Sequence, residues 1–234
     1  NAPNQIIQRA IDQGSIVLTM DSDATDSARW FYVGMSDYDA GRIAGEAALK
    51  VVGKGKMVGL VGFATAQNAQ DRIAGFKDAL AGSELELVEV LLDDIKPEVA
   101  RSNAQTARQK YPDLAGFITF YSYDGPAAGQ AVKQAGRTGE VKIIAFDAEP
   151  ETQRLLEEGV VQVMIGQRVY FYGYLSGYAM YAGSVLGQDE LMTILDPYLD
   201  GENKFRLNTG IDVIYADQFQ QYKDYLTSIG IASQ

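Results

Sequence analysis

The chain has 234 residues, enough to bury a core of its own without disulfide or metal staples. It contains no cysteine and no histidine, which excludes disulfides, thiolate metal sites, cysteine nucleophiles and any mechanism that needs an imidazole base. With 31 acidic against 20 basic residues and a formal net charge of −11, nucleic acid and anionic membrane are poor partners.

A helical pattern over 2–13 feeds a strand at 15–20, whose apolar run IVLTM ends in Asp21. A strand at 31–34 and a helix at 38–52 follow. Strands at 56–61, 85–91, 115–120, 141–146 and 160–165 then alternate with helices at 67–81, 97–110, 126–136 and 150–158. A helix at 170–186, a strand at 211–215 and a helix at 217–229 complete the series. Most of these strands are continuous apolar runs, the pattern of a strand covered on both faces. Pro97 and Pro150 suit first-turn helix positions. In the helix at 67–81, Ala69, Ile73, Phe76 and Leu80 form an apolar stripe, and Arg72 is expected off it. Strand–helix alternation with short links predicts doubly wound parallel sheets, where ligands sit beyond the carboxyl ends of the strands. Asp21 and Asp147, which ends VKIIAFD, both fall there.

Two familiar motifs fail. DSDATDSARWFY (21–32) has Asp26 and Tyr32 where a calcium loop needs Gly and Glu, so it reads as a turn rich in Asp and Ser. GKGK (53–56) lacks the upstream Gly and the following Ser/Thr of a phosphate loop. A pair of carboxylates is also the equipment of a glycosidase, but their separation is not readable from sequence. Arg72 is either a surface ion pair of little consequence or a planar donor fork aimed at ligand oxygens. The tyrosine-rich segments 117–129 and 167–178 are expected to supply mostly core aromatics.

Taken in order, YVGMSDYDAGRIAGE (32–46), NAQDRIAGFKDAL (68–80), YSYDGPAAGQAV (121–132), VKIIAFDAEPE (141–151) and the segment led by Gln167 resemble the type I periplasmic sugar-binding proteins, in particular the ribose- and glucose-binding branch. The resemblance implies an α/β fold of two doubly wound parallel-sheet lobes, joined by a three-segment hinge and clamping a sugar. The lobes would be 1–34 with 168–206 and 35–167 with 207–234. It further implies that the first lobe is incomplete at its N-terminus, with roughly 60–75 residues expected before the helix at 2–13.

Carried over by motif, the sugar ligands would be Asp21, Phe63, Arg72, Tyr123 or Asp124, Phe146, Asp147 and Gln167. Tyr123 or Asp124 stands where ribose binders have Asn, and the Tyr-X-Gly-Pro type of block is that of glucose-binding relatives, which favours a hexose. The turn at Met35, Ser36 and Asp37 departs from the family's Thr-Asp-Asn, which argues against a ligand role there. The implied protein binds a monosaccharide, glucose or a similar hexose, without catalysis, cofactor or metal. It is a monomer when complete, is periplasmic or extracellular with a lipid or membrane tether allowed, and works with the membrane permease of an ABC transporter or a chemoreceptor. The alternatives are the sugar-sensing part of a transcription regulator, which a DNA-binding module upstream would reveal, and a sugar-processing enzyme, which product analysis would reveal.

Overall fold

The computed structural model describes residues 2–201 and 204–231. The chain divides into two compact units, residues 1–36 with 168–211 and residues 37–167 with 212–234. The crossings therefore follow Ser36, Gln167 and Ile211, against the expected 34, 167 and 206.

The first stretch supplies α1 (Ala2–Asp12), β1 (Thr19–Met20) and β2 (Tyr32–Gly34). The second supplies α2 (Asp37–Val51), β3 (Gly55–Val61), α3 (Gln67–Leu80), β4 (Leu85–Leu92) and α4 (Pro97–Lys110). It continues through β5 (Leu114–Thr119), α5 (Asp124–Gln134), β6 (Lys142–Phe146), α6 (Pro150–Glu157) and β7 (Val163–Gln167). The third adds α7 (Val169–Leu186), α8 (Gln188–Leu195), β8 (Leu199–Asp200) and β9 (Arg206–Asn208). The last holds β10 (Ile211–Tyr215) and α9 (Phe219–Ser228). Among the described residues no helix is long and apolar enough to cross a membrane.

The larger unit is built on one six-stranded sheet with order β10-β7-β6-β5-β3-β4. The pairs from β4 through β7 are parallel, with Ile118 opposite Ile144 and Ile144 opposite Val163. The chain leaves β3 for β4 on one side and then returns to β5 on the other. The strand order thus reverses between β3 and β5, and at such a point the connecting loops diverge and leave a crevice at the carboxyl ends. Strands β3, β5, β6 and β7 are buried along most of their length because helices cover both faces. One face packs Val58, Leu60, Phe117, Ile143 and Met164 against residues such as Ala104, Ala128 and Leu155.

Helices α2 and α3 pack almost backbone to backbone. A Cβ added at Gly41 would lie 2.0 Å from the Arg72 carbonyl oxygen, and one at Gly75 would lie 2.0 Å from that of Tyr38. Ala40, Ala44, Ala47 and Ala48 keep the rest of this face small. This packing corrects the expected stripe on α3. Ile73 is only half-buried, and the buried positions are Ala69, Arg72, Gly75, Phe76 and Leu80.

The smaller unit carries a four-stranded sheet of order β1-β2-β9-β8, with β8 antiparallel to β9. Phe31, Val33, Ala179, Leu191 and Leu199 form its core, and Trp30 seats against Gly183. Here the sequence reading needs three corrections. The strand expected over 15–20 pairs with β2 only at Thr19 and Met20. Residues 199–200 and 206–208, given no element from sequence, are strands, and 188–195, likewise unassigned, is a helix. Short strands carry too few residues to show a period, and pairing alone creates them. The expectation that segment 167–178 supplies core aromatics is also overturned: Tyr170, Tyr174 and Tyr178 are exposed, stacked along α7 with ring centroids 5.8 and 4.7 Å apart.

Candidate functional site

Seven of the eight residues singled out from sequence lie in the larger unit, near the carboxyl ends of its strands. Phe63 follows β3, Tyr123 and Asp124 follow β5, Phe146 and Asp147 end β6, and Gln167 ends β7. Arg72 projects from the second turn of α3.

Arg72 is the hub. It is 2% exposed, so the surface ion-pair reading is excluded. Its Nε–H donates to Asp37 Oδ1 at 2.7 Å, and Nη1–H donates to the Phe120 carbonyl oxygen at 2.8 Å. The guanidinium lies 4.6 Å from the centroid of the Phe146 ring. That ring is itself fully buried and packs on Phe120, which meets Phe76 edge-on. A buried cation is tolerable only with such pairing and stacking. Asp37 opens α2 thirty-five residues upstream in the chain, and its pairing with Arg72 was not legible from sequence.

Beside Phe146, the Asp147 backbone takes a left-handed φ of 69°, with its N–H donating to Ile165 O at 2.9 Å. The Gln167 amide donates to Asp147 Oδ1 at 2.7 Å, which fixes the carboxylate's orientation. Burial, together with the charges of Asp147 and Glu151, pushes the Glu149 carboxyl above its ordinary range.

Directly after Phe120 in the chain come Tyr121 and Tyr123, with centroids 6.3 Å apart. Tyr121 donates to Asn68 Oδ1 at 3.3 Å. Gly62 is required beneath them, because a Cβ there would meet Tyr121 Cε2 at 2.6 Å and the Tyr123 hydroxyl at 2.7 Å. Phe63, next in the chain, is 43% exposed. Behind this wall the Tyr123 hydroxyl donates to Asp93 Oδ1 at 2.6 Å. Asp93 and Asp124 are both buried, and Asp93 Oδ2 and both Asp124 oxygens have no hydrogen-bond partner by geometry. Burial first, then the neighbouring Asp93, pushes the Asp124 carboxyl up to about 9. Burial, the hydrogen bond to Asp93 and the nearby carboxyls also push the Tyr123 hydroxyl upward. Asp93 escaped sequence reading; the acidic pair at the end of the LELVEVLLDD run was its only signal.

Asp21, the eighth residue, belongs to the smaller unit and is exposed there. Like Asp147 it follows a parallel strand with a positive φ, here 65°, a conformation that Asp tolerates better than most residues. Tyr32 donates its hydroxyl to the Asp21 carbonyl at 2.9 Å. The neighbouring turn is organised by Asp23, which accepts both arms of the Arg29 fork and the Thr19 hydroxyl. Among the described residues no three of Asp, Glu, His and Cys are grouped to hold a metal.

A family model described as a periplasmic binding protein domain matches residues 1–185. The chain belongs to the periplasmic binding protein family. Members of this family are periplasmic or extracellular, and the alternating α/β architecture with parallel sheets is that of its type I branch. A solute-binding protein of an ABC transporter from Burkholderia graminis, solved in complex with D-arabinose, is similar with 28% identity and a TM-score of 0.83 over 94% of this chain and 73% of that one. GanP, a glucose-galactose binding protein from Geobacillus stearothermophilus, is 29% identical with a TM-score of 0.76, over 91% of this chain and 72% of that one. The D-ribose/D-allose-binding protein of Pseudomonas aeruginosa is 28% identical over 163 residues, 67% of this chain and 51% of that protein. The chain thus spans about half the length of the curated relatives it matches. These periplasmic binding proteins are named for sugar binding or import, and not for catalysis.

Proposed function

We propose that the chain recognises a monosaccharide, an aldohexose such as glucose, as an extracytoplasmic solute-binding protein that serves the permease of an ABC transporter or a chemoreceptor and performs no chemistry on its ligand. The observation that carries the reading is the cluster of polar and aromatic side chains at the carboxyl ends of β3, β5, β6 and β7. Arg72, the Asp147–Gln167 pair and the Tyr121–Tyr123 wall adjoin one another there through Phe120 and Phe146.

Each sugar hydroxyl both donates and accepts. The Asp147 carboxylate accepts from hydroxyls, while Arg72 and the Gln167 amide donate to them, so a neutral ligand leaves no buried group unmatched, a cost of about 1–3 kcal/mol each. Phe63 and the tyrosine rings suit the apolar C–H faces of a pyranose. Phe146, fully buried, serves by stacking under Arg72. Asp21 is the corresponding carboxylate of the other unit. The relatives' names span pentoses and hexoses, and D-allose and glucose-galactose are among them.

Titration calorimetry against a panel of neutral sugars, amino acids and phosphate esters tests this. A saturable signal with an aldohexose is expected. Silence with every sugar and binding of an amino acid or phosphate ester overturns it.

A further inference from the structure

We propose that Asp93 and Asp124 hold one proton between them and act as positioning residues for Tyr123, so that ligand binding weakens at alkaline pH when the pair gives up that proton. The inference rests on the sugar-binding reading for its effect on affinity, but the pair itself is a property of the larger unit alone.

Four geometric facts support it. Both carboxyls are sealed from solvent. Three of their four oxygens accept no hydrogen bond, and a proton between Asp93 Oδ2 and one Asp124 oxygen is the simplest way to satisfy two of them. The remaining oxygen, Asp93 Oδ1, accepts both the Tyr123 hydroxyl at 2.6 Å and the Ile95 backbone N–H at 3.0 Å. Tyr123 is in turn wedged over Gly62 beside Tyr121. A movement of the Asp93 carboxylate therefore transmits directly to the aromatic wall.

The field around the pair favours the protonated form. From the β4–α4 loop Asp93 raises Asp124, and from the β5–α5 loop Tyr121 and Tyr123 bring hydroxyls with no positive charge. Near Gly125, β5 and α6 offer the Thr119 and Thr152 hydroxyls, which are neutral. The cation in this network, Arg72, acts on Tyr121 and is held by Asp37 and the Phe120 carbonyl. The amino end of α5, which Asp124 opens, and the Tyr121 backbone favour the anion, and burial together with Asp93 outweighs them. When hydroxide removes the shared proton, two anions face each other. The route of relief is through Asp93, whose loop carries left-handed φ values of 55° at Asp94 and 59° at the β-branched Ile95. Releasing Asp93 frees that loop and Tyr123 together.

The test combines carboxyl and tyrosine-ring NMR on the ligand-free protein from pH 5 to 10.5 with calorimetric affinity for the best-binding sugar of the panel. One aspartate carboxyl carbon is expected to titrate above pH 8, with the Tyr123 ring signal moving at the same midpoint. Affinity should fall about tenfold or more between pH 7 and pH 10. In Asp124→Asn both alkaline transitions should disappear, and affinity, whatever its value at pH 7, should not fall further by pH 10. Tyr123→Phe should retain the carboxyl titration and uncouple affinity from it, which covers the case in which Asp124→Asn fails to fold. Titration of every aspartate below pH 6, or an undiminished alkaline loss of affinity in Asp124→Asn, overturns the proposal. If no sugar binds, the function reading fails, while the two NMR titrations still decide the pair.

Discussion

Replacing Arg72 by Met keeps the length of the stem and removes the fork. Three interactions go with it: the ion pair to Asp37, the hydrogen bond to the Phe120 carbonyl, and the stack on Phe146. Breaking a buried ion pair from one side costs about 3–5 kcal/mol. The Asp37 side chain retains 11% exposure, so the lower end of that range applies to the pair. The lost carbonyl bond adds about 1 kcal/mol, and the apolar Met side chain recovers part of it by packing on Phe146. A net loss of about 3–4 kcal/mol is expected. Arg72→Lys keeps the charge, but one ammonium cannot serve both Asp37 and Phe120, so about 1–2 kcal/mol is lost. Hydrogen exchange across α3 under graded urea is the suitable assay, since two units need not unfold together. The double variant with Asp37→Asn should lose less than the sum of the single variants, by about 1–2 kcal/mol. An Arg72→Met protein within 0.5 kcal/mol of wild type would refute the reasoning, and the pair would then contribute nothing net.

Gly75→Ala places a Cβ 2.0 Å from the Tyr38 carbonyl oxygen and should lower Tm by several degrees, at a cost of about 1–3 kcal/mol. Gly177→Ala, with nothing within 4 Å in mid-helix, should raise it slightly in the same scanning-calorimetry series. Folded Asp124 binds its proton more tightly than the unfolded chain, its carboxyl pushed from the ordinary 3.8 up to about 9. Its contribution to stability therefore declines as pH rises from about 4 to about 9. Asp124→Asn should flatten that part of the urea-midpoint profile, and an unchanged slope contradicts the assignment. Burial pushes Asp23 up, but hydrogen bonds from Arg29 and Thr19 more than reverse this, so its carboxyl sits below the usual range. Its contribution is present above the unfolded value of 3.8 and fades as pH falls below it, so Asp23→Asn should cost about 1–3 kcal/mol at pH 7 and much less at pH 2.5.

Much of the larger unit was readable as one-dimensional pattern. Its parallel sheet was legible because each central strand is buried on both faces, which leaves an unbroken apolar run such as KIIAF before Asp147. The carboxyl-end placement of Asp147 and Gln167 follows from that alternation, because a parallel sheet with crossover helices presents the same strand end to one surface. Only tertiary structure decided what those ends are made of. Arg72 belongs to the buried stripe of α3 because Asp37, Phe120 and Phe146 converge on it from three other segments. Asp93 matters because the sheet order sets the end of β4 two strands from that of β5, where the Tyr123 hydroxyl reaches it. The smaller unit was less legible, since β1, β8 and β9 are two or three residues long and exist through their pairing. Burial periodicity is written along the chain, whereas the partner of a charge is chosen by the fold: Asp37 and Phe120 lie 35 and 48 residues from Arg72, and Gln167 lies 20 from Asp147.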